Sequence, residues 1–516
     1  MVSKVNMLFK GRFALITKII LLAGISSIFL LLIQSAFAQN EYLIALFLLI
    51  AIVALNFFYL TSKSIPFKFL LPGTLFLVAF VIVPIIFTVV MSTYNYKTGN
   101  YISKQGAIEQ VSALGVQPDE NGTTFDIAVG KTDSGEYAIL ASDSTANRYF
   151  LSTVKEKVEL TLADVKVNDL KVAIGTANFT QISADALAGN DAYSKIKYKY
   201  SGDYFISVEG IDVGAVYKRN LEYIASSDTF RSLIDGKIYR DNGRGNYANP
   251  DNANEILEPG WRAPVWFANY AKLITDSSVR GPFIRVFIWT IIFALSTVGF
   301  SFAVGLLLTL ALNKPMRGRR MYRSILILPY AMPSLMSILI WAGMFDTEFG
   351  AINNILHTHI AWFSNASFAR IAVILVSVWL GFPYFYLISN GALQAIPSEL
   401  LEAAAIDGAN GRQIFNKITL PLLLQILSPL LIASFAFNFN NFNLIYLLTG
   451  GGPKLQLEGQ IAGATDILIS YTYQIAFGSN VQNLGLASAI SVIIFFLIAG
   501  ISLYGLRKSK VLETFG

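Results

Sequence analysis

Eight long apolar segments dominate the chain, and none of them contains an aspartate or a glutamate. A helix that crosses a lipid bilayer needs roughly 20 mostly apolar residues, because every backbone polar group must be paired within the helix. The sequence therefore predicts a mainly α-helical polytopic membrane protein with eight transmembrane helices. The predicted spans cover residues 14–36, 42–61, 69–92, 283–312, 324–345, 371–393, 422–448 and 484–506.

Charged residues are concentrated between the third and fourth spans. Residues 97–281 carry 24 acidic and 20 basic side chains, whereas the whole chain has 33 and 39. We expect a β-rich domain there, between an N-terminal membrane region at 1–96 and a helical core at 282–516, because apolar and polar residues alternate. A tract rich in Asn, Gly, Pro and Asp, 241–260, is predicted to be a long loop leading back to the membrane. The predicted strands cover 124–129, 137–141, 158–167 and 204–216.

Lysine and arginine predict the orientation of the spans, because short cytoplasmic loops are enriched in them. With the N-terminus inside, the inside segments hold 15 of these residues and the short outside loops hold two, Arg370 and Lys454. Both termini are then cytoplasmic, and residues 97–281 lie on the outer side of the membrane. The basic excess lies at span ends and does not indicate nucleic-acid binding.

The first span ends in Ala36-Phe37-Ala38, which has the form of a secretory cleavage site. We favour a retained span, because the charge pattern is consistent with it.

Missing residue types exclude several kinds of chemistry. The chain has no cysteine and two histidines, His357 and His359, so thiolate and histidine-rich metal sites are excluded. It has no G-x-x-x-x-G-K-[ST] loop, so we do not expect it to bind ATP. Spans without carboxylates disfavour a carrier that moves protons or sodium through such groups. We therefore expect no catalytic residue, no metal ligand and no cofactor in this chain.

Neutral polar and aromatic residues interrupt three of the predicted spans. The fifth span has prolines on both sides of Tyr330, the sixth has Gly381 and Pro383, and the seventh has four asparagines beginning at Asn438. Asn438 and Asn441, three residues apart, would share one helix face. Broken spans and amides beside aromatic rings favour a cavity for a neutral, hydroxyl-rich ligand. Hydrogen bonds between helices and ordinary proline kinks also explain these residues, and both interpretations stay open.

The predicted inside loop 394–421 is long for a connection between two spans. Pro397 and Ser398 are typical of a helix start, and Gly408 is typical of a helix end. A second helix would start near Gly411. Two short helices joined by a glycine form a rigid projection that could dock into a partner protein, although a helix pair with a purely structural role explains the pattern too.

The same loop resembles the EAA loop of ABC-importer permeases, in which Glu-Ala-Ala, three residues, Gly, nine residues and Ile-x-Leu-Pro follow one another. Here Glu402-Ala403-Ala404, Gly408 and Ile418-Thr419-Leu420-Pro421 fit every position. The whole chain is similar to the larger membrane subunit (MalF type) of maltose/maltodextrin importers, which also has a large domain after the third of eight spans. The runs that carry this closer resemblance are 327–331, 379–381, 433–442 and 451–453.

The resemblance implies a subunit that translocates maltose or maltodextrin by ATP-driven alternating access. It implies a second, smaller permease subunit, two cytoplasmic ATPase subunits that bind ATP and magnesium, and a periplasmic sugar-binding protein. Ser377 departs from the pattern, because the resemblance leads us to expect an amide there. The residues implied to couple to the ATPase are Glu402, Ala403, Ala404, Gly408, Ile418, Leu420 and Pro421. Those implied to contact the sugar are Tyr330, Ser334, Leu380, Gly381, Tyr384, Phe437, Asn438 and Asn441.

Other functions remain as alternatives. An ABC permease for another neutral oligosaccharide would show the same residues. A membrane insertase with a periplasmic β domain would need a buried charge in a hydrophilic groove, and no predicted span has a charge near its centre. A sensory receptor would need a cytoplasmic signalling segment. Neither of these last two functions explains the loop 394–421.

Overall fold

Three apolar helices begin the described part of the chain. They are α1 (Arg12–Ala38), α2 (Tyr42–Leu60) and α3 (Ile65–Ser92), and their side chains are mostly exposed. Asn56 in α2 donates a hydrogen bond to the Ser26 hydroxyl in α1, at 2.9 Å. The chain divides between residues 90 and 91 into two compact units. The computed structural model describes residues 11–38, 42–61, 65–143, 146–187, 192–313, 316–454, 461–478 and 482–508.

Some of the sequence predictions fall outside this description. Residues 1–10 and 509–516, which carry part of the charge that predicts the location of the termini, lie outside the described residues. The second unit begins with a β-rich region and ends with a helical core, and all of the elements below belong to it.

The β-rich region holds eighteen strands and two helices among the described residues. The helices are α4 (Lys104–Leu114) and α5 (Ala184–Leu187). The strands are β1 (Tyr94–Asn95), β2 (Val116–Pro118), β3 (Thr124–Thr132), β4 (Tyr137–Asp143), β5 (Arg148–Ser152), β6 (Lys157–Leu160), β7 (Val165–Val167), β8 (Ala173–Thr176), β9 (Phe179–Gln181), β10 (Tyr198–Ser201), β11 (Tyr204–Val208), β12 (Val213–Arg219), β13 (Leu221–Ile224), β14 (Thr229–Ser232), β15 (Ile238–Asp241), β16 (Tyr247–Asn249), β17 (Asn252–Leu257) and β18 (Ala263–Pro264).

Two larger antiparallel sheets build this region. The first runs in the order β10-β11-β12-β3-β4-β5-β6, with β2 and β7 to β9 attached, and the second is the meander β13 to β17. Ile127 and Val129 of β3 enter one core cluster, whereas Ala128 enters another, so both faces of the first sheet are covered. Ala107 and Val111 of α4 pack with residues of the second sheet.

The strand predictions are partly confirmed. Strands β3 and β4 contain the predicted 124–129 and 137–141. The predicted strand 158–167 splits into β6 and β7, because Thr161 donates its backbone N–H and its hydroxyl to Asp164 and closes a turn. The predicted strand 204–216 splits into the hairpin β11–β12.

The prediction of a long loop at 241–260 is wrong. This tract contains β16 and β17, and the Tyr247 side chain is buried among aromatic neighbours. Its polar residues close the turns within the sheet, as where Asn249 donates a hydrogen bond to Glu255, at 2.8 Å. A few aromatic anchors are therefore sufficient to hold a polar tract in a sheet.

The third part of the described chain is helical. It holds α6 (Ala268–Thr275), α7 (Ser277–Asn313), α8 (Arg319–Ala331), α9 (Ser334–Met344), α10 (Ala351–Leu356), α11 (Ala366–Gln394), α12 (Ser398–Ile406), α13 (Gly411–Phe439), α14 (Phe442–Leu448), α15 (Leu468–Tyr473) and α16 (Leu484–Lys508). The predicted boundary at 281 falls inside α7, and the last strand ends at Pro264.

Six helices of the described residues are long and apolar enough to cross a membrane. These are α1, α3, α7, α11, α13 and α16. Helices α8 and α9 pass the same criteria as a bent pair, and α2 is apolar but shorter. The chain is therefore mainly helical, with apolar helices on both sides of a β-rich insertion, as the sequence predicts.

The helix breaks differ from those predicted. The α8–α9 pair bends by 93° at Met332 and Pro333, since proline lacks an N–H and keeps the preceding residue extended. In contrast, α11 runs unbroken through Gly381 and Pro383, so the break predicted in the sixth span is wrong. The predicted span 422–448 is also not one helix, because α13 ends at Phe439 and α14 begins at Phe442.

Helices α7 and α11 form the most extensive helix contact in this part. A Cβ at Gly305 would lie 2.6 Å from the Tyr386 backbone nitrogen, so only glycine allows this close approach. The Thr309 hydroxyl contacts the Tyr386 carbonyl at 3.1 Å and the Gly305 carbonyl at 2.8 Å. Small residues thus let the two backbones touch and share a polar contact.

A short neck joins the β-rich region to the helices. Strands β1 and β18 pair with Asn95 opposite Ala263. The buried Asn269 amide of α6 donates to the carbonyls of Ser92 and Tyr94, both at 2.9 Å. The backbone N–H of Gly485, in α16, donates to Tyr96. The start and the end of the β-rich region are therefore held side by side.

The segment between α14 and α16 is organised by the buried carboxylate of Asp466. It accepts hydrogen bonds from the Gly463 N–H, the Ser470 hydroxyl and the Gln474 amide, at 2.7 to 3.0 Å. Burial raises the pKa of the Asp466 carboxyl, and these donors act in the opposite direction. Gly451 has a positive φ of 83° and leaves room for the carboxylate.

Two neighbouring glycines test this packing. Gly450→Ala should cost about 1 kcal/mol, because its φ of 59° disfavours a side chain but its Cβ would enter open space. Gly451→Ala should cost roughly 3 kcal/mol or more, because its Cβ would overlap the Asp466 carboxylate and leave buried donors unpaired. Thermal unfolding of the purified protein in detergent measures the difference. Equal melting temperatures for the two variants would show that the carboxylate does not organise the segment.

Candidate functional site

A cavity of about 580 Å³ lies among helices α7, α8, α9, α11, α13 and the start of α14. The eight residues that the sequence singles out come from three predicted spans, and all eight line this one cavity. They are Tyr330, Ser334, Leu380, Gly381, Tyr384, Phe437, Asn438 and Asn441. That they bind a ligand stays a prediction.

The bend between α8 and α9 opens one wall of the cavity. Tyr330 lies before the bend and Ser334 after it, so the two residues do not share a continuous helix face. Both nevertheless face the cavity, and Tyr330 is 57% exposed. Breaking a helix frees backbone groups, which is tolerated beside a cavity.

Asn438 has a structural contact in addition to its place in the cavity. Its amide nitrogen donates to the Ser434 carbonyl at 2.9 Å, and its oxygen accepts from the Ser377 hydroxyl in α11 at 3.3 Å. An asparagine amide has two donor hydrogens and two acceptor lone pairs. These two bonds therefore leave one hydrogen and one lone pair for a ligand, and the helix-to-helix interpretation holds for part of this side chain.

Asn441 plays a different role from the one its spacing predicts. It lies beyond the end of α13 and caps α14, with its side-chain oxygen accepting from the Leu444 N–H at 3.4 Å. An asparagine at this position stabilises a helix start. The break between α13 and α14 turns the chain so that Asn438 and Asn441 still face the same cavity.

The cavity wall is neutral and mixed in character. Phe437 is 69% exposed and Tyr384 is half-buried, so aromatic faces are available beside the amides. None of the described residues that line the cavity is an Asp, Glu, Lys, Arg or His. Rings can cover apolar C–H faces while amides and hydroxyls pair with hydroxyl groups, which suits an uncharged polyhydroxylated molecule.

Three further polar residues line the cavity that the sequence did not assign to it. Ser301 comes from α7, a helix with no predicted site residue, and the others are Ser434 and Asn443. Ser377, where the resemblance leads us to expect an amide, also lines the cavity. A signal for Ser301 was present, since Thr297, Ser301, Gly305 and Thr309 recur every four residues on one face of α7. That pattern indicates a helix contact but not a cavity.

The loop 394–421 folds as the short helix α12 followed by the start of the long helix α13, so both predicted helix starts are confirmed but the second helix is not short. Helix α12 holds Glu402, Ala403 and Ala404, and Gly408 follows it with a φ of 82°. Asn410 and Gln413 form reciprocal hydrogen bonds that cap the start of α13, at 2.8 and 3.0 Å. Ile418, Leu420 and Pro421 lie within α13, the first in a π-helical turn, Phe415–Thr419.

Two apolar side chains project from this loop. Ile406 is 87% exposed and Leu400 is 46% exposed, and both belong to the short helix α12. A buried helix pair would have turned these side chains inward. Exposed apolar residues on an ordered projection are typical of an interaction surface.

Comparison with known proteins places this architecture in a family. Residues 298–509, which include the whole cavity and the loop, match the model of the binding-protein-dependent transport system inner membrane component. Residues 75–154 match the model of the N-terminal region of the TM subunit in PBP-dependent ABC transporters. The maltose/maltodextrin transport system permease protein MalF of Vibrio vulnificus (strain YJ016) is 34% identical over 486 residues, which cover 92% of this chain and 91% of that protein. The chain belongs to the MalF family.

Other members of the MalF family show the same extent of similarity. MalF of Escherichia coli (strain K12) is 34% identical over 496 residues, covering 92% of this chain and 93% of that protein. A solved structure of a bacterial ABC transporter involved in the import of the acidic polysaccharide alginate is 20% identical, with a TM-score of 0.40, and covers 48% of this chain and 83% of that chain. Similarity to the MalF relatives thus spans the β-rich region as well as the helical core.

Proposed function

We propose that this chain is the membrane-spanning permease subunit of a binding-protein-dependent ABC importer for maltose or maltodextrin. The observation that carries the proposal is the 34% identity to MalF proteins over 92% of the chain. The chain is a transport subunit and not an enzyme, and partner ATPase subunits that hold ATP and magnesium supply the energy. Its partners are a second, smaller permease subunit, two cytoplasmic ATPase subunits and a periplasmic sugar-binding protein.

In this proposal the chain is a multi-pass protein of the bacterial inner membrane with eight spans. The six long apolar helices, the bent α8–α9 pair and α2 supply them. Both termini face the cytoplasm and the β-rich region faces the periplasm, because lysine and arginine are concentrated in the segments that are then inside. The 1–96, 97–281 and 282–516 division describes the membrane region, the periplasmic domain and the permease core.

The cavity holds the sugar during its passage. Its volume lies in the range of small-molecule sites, roughly 300–1,000 Å³. Phe437 and Tyr330 cover the sugar rings, and Asn438, Asn441 and Tyr384 pair with its hydroxyls. Another neutral oligosaccharide would meet the same chemistry and is the alternative substrate. An insertase is disfavoured, because no charged residue is found among the described residues of the cavity wall.

The coupling loop connects ATP hydrolysis to the cavity. Ile406 and Leu400 dock into an ATPase subunit, and Gly408 sets the angle between α12 and α13. The second helix is continuous with the seventh span, so Gly411 and Asn438 belong to one helix, α13, about 40 Å apart along its axis. Movement of the loop on closure of the ATPase dimer therefore reaches the cavity through a single rigid element.

Replacement of Phe437 tests the sugar site. Phe437→Ala should cost about 1 kcal/mol of sugar binding through lost stacking, and more through lost apolar contact. Uptake of labelled maltose by the complete importer in proteoliposomes should then need a several-fold higher sugar concentration. Phe496→Ala is the control, since Phe496 is similarly exposed, at 67%, but lies on α16 outside the cavity. An equal effect of both changes would argue against the site.

A second pair of variants separates sugar binding from helix contact. Ser377→Ala removes the bond from α11 to Asn438, whereas Asn438→Ala removes that bond, the bond to Ser434 and the amide groups that remain for a ligand. Asn438→Ala should weaken transport by a further 1 kcal/mol or so at normal membrane abundance. If both variants instead lowered abundance and transport in step, Asn438 would be a helix contact alone.

Gly408 tests the coupling loop. Gly408→Val should strain the backbone by roughly 1 kcal/mol or more, because a β-branched residue opposes a φ of 82°. We expect loss of sugar-stimulated ATP hydrolysis and of co-purified ATPase. Gly411→Val is the matched control, since both added Cβ atoms enter open space and Gly411 has no positive φ. Unchanged coupling in Gly408→Val would overturn the proposed role.

Removal of the β-rich region tests its role in holding the sugar-binding protein. Because Asn95 lies opposite Ala263, a short linker can replace residues 97–261 without separating the neck strands. The helices should still insert, because their apolar lengths do not depend on the domain. The chain has no cysteine, so one introduced cysteine in the segment 461–478 gives a single crosslinking site. Crosslinking to the binding protein should fall sharply, and crosslinks at full strength would assign the domain another role.

A further inference from the structure

Helices α7 and α11 carry three buried hydroxyls without a hydrogen-bond partner among the described residues. They belong to Thr297, Ser301 and Ser389, whose side chains are 2%, 1% and 0% exposed. Hydroxyls in buried helices usually donate to the carbonyl four residues earlier, as Thr290 does on the same helix at 2.7 Å. An unpaired buried hydroxyl is unfavourable, so each needs an explanation.

Ser301 differs from the other two in its surroundings. It is the member of this set that lines the cavity, and Thr297 and Ser389 do not. Gly381 lies beside it in the cavity wall, and a Cβ at Gly381 would come 2.8 Å from the Ser301 oxygen. The Ser301 oxygen therefore packs against Gly381 at the edge of the cavity and is itself buried, so it meets a ligand when the serine side chain turns towards the cavity.

We propose that the Ser301 hydroxyl is a specificity-determining contact for the molecule in the cavity. It pairs with one hydroxyl group of a neutral, polyhydroxylated ligand, and α7 thereby joins the three predicted spans in forming the site. This inference rests on the proposed function, since the ligand is taken to be a sugar. A site that hydrogen-bonds a ligand hydroxyl discriminates against analogues that lack it, because the protein group is then left unpaired.

The test compares Ser301→Ala with Ser389→Ala in the complete importer. Each change removes one unpaired, buried hydroxyl, Ser301 from α7 and Ser389 from α11, but of the two only Ser301 lines the cavity. In proteoliposomes, the maltose concentration for half-maximal uptake should rise about fivefold in Ser301→Ala, the size expected for one neutral hydrogen bond. It should stay unchanged in Ser389→Ala, and the amount of assembled complex should be normal in both.

Maltose analogues that each lack one hydroxyl identify the partner group. When they compete with labelled maltose, the wild type should discriminate against each analogue that loses a contact. In Ser301→Ala, one of these analogues should inhibit the uptake of labelled maltose as strongly as unlabelled maltose does. The variant no longer forms a hydrogen bond with the hydroxyl that this analogue lacks. If Ser301→Ala discriminated against every such analogue as strongly as the wild type does, the inference would be overturned.

Other outcomes distinguish the Ser301 contact from the sugar site as a whole. An unchanged half-maximal concentration in Ser301→Ala, with a raised one in Phe437→Ala, overturns the Ser301 inference and leaves the sugar site in place. An unchanged concentration in both removes the proposed sugar site itself. Loss of assembled complex in Ser301→Ala overturns the inference too, because an oxygen without a protein partner does not stabilise the fold, and its loss would reveal a packing role.

Discussion

The close contact between α7 and α11 is the constraint on which the helical core depends. Gly305 allows the backbones to touch, because a Cβ there would lie 2.6 Å from the Tyr386 nitrogen. In lipid there is little hydrophobic driving force between helices, so packing and polar contacts such as that of Thr309 must hold them together. This pair fixes Ser301, Ser377 and Gly381 on one side of the cavity, and the broken helices then complete it from the other side.

A polar cavity in an apolar layer also requires breaks in the helices that surround it. A continuous helix pairs all of its backbone groups and presents only side chains. Here the α8–α9 bend and the gap between α13 and α14 both open at the cavity. Asn441 satisfies part of this freed backbone by capping α14, and Asn438 ties α13 to α11. The same amides therefore stabilise the break and provide polar groups to a ligand.

Continuity of α13 gives the core a direct route between its two functional regions. If a flexible linker joined the coupling helix to the cavity helix, the linker would absorb movement of the loop before it reached the cavity. In this chain the helix that starts at the capped Asn410 continues through a π-helical turn to Phe439 in the cavity region. By contrast, α12 is joined to it only through Gly408 and its neighbours, so the angle between α12 and α13 is the adjustable part of the loop.

Much of the architecture follows from the sequence alone. Long apolar runs and the position of charged residues determine the helical character and the β-rich insertion, because lipid and water select strongly between them. The spacing of Pro397, Gly408 and Gly411 predicts the two helices of the loop, since these residues act locally on backbone angles. The eight predicted site residues line one cavity, but they were chosen from a family resemblance and from helix breaks that the sequence located only in part, and that they bind a ligand stays a prediction.

Only the tertiary structure decided the rest. Proline bends the chain between Tyr330 and Ser334 yet leaves α11 unbroken at Pro383, because packing against α7 supports the second helix and the local sequence does not indicate that support. The polar tract 241–260 forms two strands because Tyr247 packs in a core with Phe230, Tyr239 and residues of α4, all of which lie outside the tract. Ser301 lines the cavity beside Gly381, which is 80 residues away in the sequence and whose missing side chain leaves room for the serine oxygen. Local residues determine what a segment can form, and contacts between distant segments determine which possibility is realised and which polar groups are left facing a ligand.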